Sequence, residues 1–73
     1  GSMVLLQSGR LGVVIEGNEE DQRLPLVRLM YHTRFRMPIK VETLDLSKPG
    51  VQDHILRAVD PEEYNLDVRK FLQ

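Results

Sequence analysis

The chain has no cysteine, so no disulfide can staple it and no cysteine-based zinc site can form. With only His32 and His54 as imidazoles, neither a structural metal nor any other cofactor is expected. Absence of cysteine suits a reducing cytoplasm, the expected location. Long apolar runs are also missing. Stretches such as Val13-Val14-Ile15 fall far short of the ~20 residues of a membrane-spanning helix, and no signal peptide is visible. The 73 residues, read as one domain over 1–73, leave a core that buries only about 60% of the unfolded surface, so stability should be marginal. Gly1-Ser2 before Met3 reads as a cloning scar in front of a domain excised from a larger protein, or else as native sequence.

Catalytic signatures are scarce as well. Ser8 and Ser47 have no nearby histidine in a recognised nucleophile context, and no phosphate-cradling G-x-x-x-x-G-K-[ST] occurs. Asp53 and His54 are adjacent, so on a strand they point to opposite faces and cannot share a metal. No catalytic residue, cofactor site or metal site is assigned, and the chain is not expected to be an enzyme.

What is present is charge in blocks. Residues 1–21 carry net −3, residues 22–40 carry +5 with no acid, and residues 41–73 carry −3. The basic middle either pairs with its acidic flanks or faces an anion.

Strand patterns dominate the rest. Leu11, Val13 and Ile15 share one face by period two, after a Ser8-Gly9 turn. Residues 24–32 form a second strand, with Val27, Leu29 and Tyr31 on one face and Leu26, Arg28, Met30 and His32 on the other. Residues 35–46 alternate through Phe35, Met37, Ile39 and Val41. The pattern then slips, because Leu44 and Leu46 continue the parity of Lys40, which predicts a bulge or bend. Pro38 places this strand at an edge or at that bend. Residues 51–59 read as a helical face (Ile55, Leu56, Val59) or a final strand. Asp60-Pro61 begins a short helical turn, with Asp60 as N-cap, and residues 67–72 look like another. The expected fold is all-β: a small five-stranded SH3-like barrel with a short helical C-terminus. Its core draws on Val4, Leu6, Leu11, Val13, Ile15 and Val27, and on Leu29, Tyr31, Ile39, Val41 and Leu44.

Three short motifs compete for function. Residues 31–36, YHTRFR, interleave aromatic and basic side chains, as a stacking platform for single-stranded nucleic acid does. Residues 9–14, GRLGVV, resemble the KOW motif of small barrels in ribosomal and transcription proteins. A nucleic-acid-binding barrel of KOW or Tudor-like kind would use Arg28, Arg34, Phe35 and Arg36. The stretch DLSKPG (45–50) fits the D-x-S-x-x-G element of PilZ domains through Asp45, Ser47 and Gly50. The R-x-x-x-R element that accompanies it in that family is missing, since Arg23 and Arg28 are five apart and Arg34 and Arg36 two apart.

A longer resemblance covers most of the chain. MVLLQSGRLGVVIE, PLVRLMY, VETLDLS and ILRAVDPEEYNLDVRKFL resemble, in order, the small module that follows the catalytic domain of HD-GYP proteins. The matching positions include Ser8, Gly9, Gly12, Val13 and Val14, then Pro25, Val27 and Arg28, then Asp45, Leu46 and Ser47, and finally Asp60, Pro61, Tyr64 and Asp67. Gly1-Ser2 align with the G-T that opens that module. The family's catalytic His-Asp pair and Gly-Tyr-Pro motif are absent. The resemblance implies cyclic di-GMP hydrolysis for a parent protein and none of that chemistry for this chain. The family's module lends no activity of its own, so on physical grounds a compact appendage of a bacterial protein is expected to act as an accessory or regulatory module that packs on an adjacent domain or recruits a protein partner. Outward-facing Arg28, Met30, Arg34, Phe35, Arg36 and Lys40, flanking the Pro38 edge, are the expected contact residues.

Overall fold

β-branched and aliphatic runs bounded by Gly, Pro, Asn and Asp give the strands their places. The computed structural model describes residues 2–66. Five strands form: β1 (Met3–Leu6), β2 (Arg10–Glu16), β3 (Leu26–His32), β4 (Met37–Asp45) and β5 (Ile55–Val59). A 3-10 turn follows at Pro61–Tyr64, N-capped by the Asp60 side chain, which accepts from the Glu62 N–H. The expected second helical turn, 67–72, lies outside the described residues. All ladders are antiparallel and the strand order is β4-β3-β2-β1-β5. The stretch 51–59, open between helix and strand, resolves as a loop and β5.

The fold is all-β as expected, but the sheet is not closed into a barrel: β4 and β5 are its two ends. Residues 46–54 instead run from one end of the sheet to the other. Leu46 N–H donates to Pro25 O at 3.2 Å beside the start of β3, and Gln7 N–H donates to His54 O at 2.9 Å beside the end of β1. Pro38 sits on an end strand, where its missing N–H is harmless.

Both faces of the sheet are apolar. On the concave face Val4, Leu6, Val27, Leu29 and Leu46 are buried, and Ile39, Leu44, Val51 and Ile55 pack against them. The opposite face buries Met3, Leu11, Val13, Met30 and Val59, covered by Tyr64 and Leu66 of the C-terminal segment. Tyr31 and Tyr64 meet there with ring centroids 6.0 Å apart.

A bulge in β3 corrects part of the expected pattern. Leu11 pairs with Tyr31 and Gly12 with Leu29, so Met30 has no partner on β2. The extra residue flips the alternation. Met30, expected to face outward, is fully buried, and Tyr31 packs on the face opposite Val27 and Leu29. The slip expected in the next strand is found at the same level. Glu42 pairs with Leu29 and Pro38 with Tyr31, leaving three β4 residues against Met30 alone. Val41, expected in the core, is therefore 46% exposed, while Ile39 and Leu44 pack on the concave face. Ile15 is half-buried at the frayed end of β2. Phe35 lies in the turn before β4 rather than in the strand.

Gly12 leaves no room for a side chain between β2 and β3. A Cβ there would lie 3.0 Å from the Arg28 carbonyl oxygen and 3.1 Å from Leu29 Cδ2. Backbone cannot move aside as a flexible side chain can. Gly12→Ala should therefore destabilise the domain by about 1–3 kcal/mol, read as a fall of roughly 4–8 °C in melting temperature per kcal/mol for so small a domain. An unchanged melting temperature would show that the strands separate freely at this point.

Candidate functional site

Two surface features carry polar chemistry, and both lie at the end of the sheet where the β1–β2 and β3–β4 turns meet. The first is a charged knot. Turn 7–9 closes with Gly9 N–H donating to Leu6 O at 3.0 Å, with Gly9 at φ 94°. This aims Ser8 at the crossing segment. Ser8 N–H and Oγ–H donate to the two carboxylate oxygens of Asp53 at 3.1 and 2.6 Å. Arg10 donates to Ser8 Oγ at 3.0 Å, to Asp53 at 3.0 Å and to Glu42 of β4 at 3.1 Å. The Asp53 side chain is only 8% exposed. An open groove of about 570 Å³ lies beside the knot, with Gln7, Arg34, Leu44 and Val51 among its walls.

This arrangement supports structure better than catalysis. Burial pushes the Asp53 carboxyl up, but hydrogen bonds from Ser8, Arg10 and the Ser8 and His54 N–H groups outweigh it and hold the carboxyl below its usual value. A carboxylate held below its usual value is a weaker base than an ordinary one, and among the described residues the Ser8 hydroxyl meets only this carboxylate and the Arg10 guanidinium. Nothing in the sequence announced the knot, because Ser8 and Asp53 are 45 residues apart and meet only through the crossing segment.

The second feature is the β3–β4 turn, 33–36. Thr33 N–H and Oγ–H both donate to Gly9 O, at 2.8 and 2.7 Å, which docks this turn on the first. Arg34 N–H donates to His32 Nδ1 at 3.3 Å, and the His32 and Phe35 rings meet at a 41° tilt with centroids 4.4 Å apart. Phe35 is nonetheless 69% exposed, and Arg34 and Arg36 are exposed beside it. Of the expected contact residues, the fold thus brings Arg34, Phe35 and Arg36 together, with Lys40 exposed farther along β4. Arg28 is half-buried at a ladder position opposite Thr43, and Met30 is in the core.

The DLSKPG stretch is a turn that closes on itself. Ser47 N–H and Oγ–H donate to the same Asp45 oxygen at 2.9 and 2.6 Å, and Lys48 N–H donates to Asp45 O at 3.2 Å. The Ser47 hydroxyl and then its N–H lower the Asp45 carboxyl from its usual value. Among the described residues no group of three or more His, Cys, Asp or Glu side chains is placed to hold a metal ion.

Comparison with known proteins is sparse. No family model matches the chain, and no solved structure matches it. The chain is 35% identical over 65 residues to a curated cyclic di-GMP phosphodiesterase of Pseudomonas aeruginosa. That similarity takes in 89% of this chain but only 16% of the relative, so the chain spans about one sixth of that protein's length.

The knot makes a pH prediction. Because the folded-state carboxyl of Asp53 lies below the unfolded one, its contribution is complete above the unfolded value of about 3.9 and is lost as pH falls through the folded value. Asp53→Asn should cost about 1–3 kcal/mol at neutral pH, with the gap to wild type closing in acid. Denaturant titrations at several pH values check this; a gap that stays constant into acid would deny the knot its role.

Proposed function

We propose that the chain is a non-catalytic accessory module in a cyclic di-GMP signalling protein of the HD-GYP type, acting in the bacterial cytoplasm through contact with an adjacent domain or a protein partner. The observation that carries this reading is the 35% identity to a phosphodiesterase confined to about one sixth of that protein's length. Five-sixths of the relative lies outside the similarity, with ample room for a catalytic centre.

The geometry supports the same reading. The residues behind the resemblance to the HD-GYP tail have structural work here. Ser8 anchors the crossing segment, Gly12 admits β3, Asp45 and Ser47 form a turn, Asp60 and Pro61 start the 3-10 turn, and Tyr64 covers the convex core. Such a pattern specifies a scaffold, and function lives in the sites a scaffold carries, here on its surface. The strand order, with a 3-10 turn after the last strand, supports treating this curled sheet as an open relative of SH3-like barrels. No described helix is long and apolar enough to cross a membrane.

Two assays test the reading. The isolated chain should not hydrolyse cyclic di-GMP with magnesium, manganese or iron(II). Turnover by clean protein that is abolished on changing His32 or His54 would refute it. In calorimetry, cyclic di-GMP should bind no tighter than about 1 mM, the level of a few unassisted polar contacts. Micromolar binding lost in Ser47→Ala or Arg36→Ala would instead establish a PilZ-like site.

A further inference from the structure

Three cations of the basic segment, Arg34, Arg36 and Lys40, stand apart from the carboxylates of the described residues. Arg23 pairs with Asp21 at 2.9 Å. Among the described residues, no carboxylate lies within ion-pair distance of Arg34, Arg36 or Lys40. Those three cations accompany Phe35 and Met37, which are 69% and 52% exposed. The result is an exposed aromatic side chain flanked in sequence by Arg34 and Arg36, with Lys40 farther along β4. Hydrogen bonds from Thr33 to Gly9 and from Arg34 to Gln7 O hold this tip in place, so little freedom remains to be lost on docking.

The complementary surface is at the other end of the same chain. The β2–β3 loop and turn 46–50 frame an open groove of about 520 Å³. Half-buried Leu24 and Leu26 form its apolar part, and exposed Glu16, Glu19 and Glu20 form its rim. These three carboxylates have no cation within ion-pair distance among the described residues. The seven residues of β3 separate tip from groove by about 20 Å, so one copy cannot satisfy both. A second copy can.

We propose that this chain docks head to tail on a second copy of itself, the Phe35 tip of one entering the Glu16–Glu20–Leu24 groove of the next. The proposal rests on the reading of the chain as an interaction module and names its partner. Phe35 is the anchor, Arg34 and Arg36 meet the glutamates, and the contact is heterologous, so it builds short chains or rings. The near-neutral net charge of −1 leaves little long-range repulsion between copies. Strand pairing through β4 is not the mode, because Pro38, Lys40 and the bulge blunt that edge.

Sedimentation velocity from about 10 µM to 1 mM tests it. The average mass of the wild type should rise with concentration and fall back in ~1 M salt, where charges are screened beyond about 3 Å. Phe35→Ala should weaken association about tenfold or more, with an unchanged circular dichroism spectrum. The decisive arm uses two double variants. Phe35→Ala/Arg36→Ala lacks the tip, and Glu19→Lys/Glu20→Lys lacks the groove. Each should be monomeric alone, and an equal mixture should form a dimer of one copy of each that grows no further. A wild type monomeric at 1 mM, association indifferent to Phe35→Ala, or a mixture no heavier than its parts would overturn the proposal. So would a tip that takes single-stranded RNA or anionic vesicles while the protein stays monomeric. These readouts are independent of the turnover and calorimetry assays that test the accessory-module reading.

Discussion

The hold of the Asp53 carboxylate on Ser8 and Arg10 keeps the crossing segment seated over the concave core. Four donors converge on it: two from Ser8, one from Arg10 and the His54 N–H. Through Arg10 the same knot reaches Glu42, so the β1–β2 turn, β2, β4 and the segment before β5 are tied at one point. A sheet with open ends has no ladder to do this. The apolar side chains of residues 46–54, Leu46 and Val51, stay over Leu6 and Leu29 because their segment is fixed at both ends. Exposed ion pairs contribute little; this one is mostly buried and fully hydrogen-bonded, which is the condition under which a charge stabilises.

The sequence displayed the strands and concealed the shape of the sheet. Period-two patterning identified Val4, Leu6, Leu11, Val13, Val27 and Leu29 as core, and turn and capping chemistry gave Gly9 and Asp60-Pro61 their local roles. It failed at Met30. A bulge adds one residue without changing composition, so strict alternation carries every later side chain to the wrong face. The slip between Ile39 and Leu44 was visible, since β4 breaks its own pattern; its cause on β3 was not, since Met30 fits either face. Burial of both faces blurred the signal further, because Met3 and Val4 on β1 are adjacent and both buried, in opposite cores. The candidate surface was legible in part. The unbalanced arginines and Phe35 could be read directly, whereas the Ser8–Asp53 knot depends on how the chain crosses.

Charge placement follows from the meander itself. Turns at opposite ends of β3 carry opposite signs: Glu19, Glu20 and Asp21 at one, Arg34 and Arg36 at the other. Local pairing removes some of this contrast, as between Asp21 and Arg23, but it cannot act across the length of a strand. The domain is thus nearly neutral as a whole and strongly polarised along β3. For the proposed docking, near-neutrality lessens repulsion between copies and polarisation supplies an orientation.

Arg36 sharpens the argument. Its φ is 51°, a left-handed conformation that costs an ordinary residue about 1 kcal/mol and a glycine almost nothing. Turn geometry alone would favour glycine there, as at Gly9 in the turn it docks against. A long cation in that position sacrifices stability in a domain with little to spare, and no described carboxylate within the chain repays it. Local strain of this sort is sustained where a side chain has work outside its own fold. In the proposed docking that work lies at the tip, beside Phe35, the most exposed aromatic side chain among the described residues.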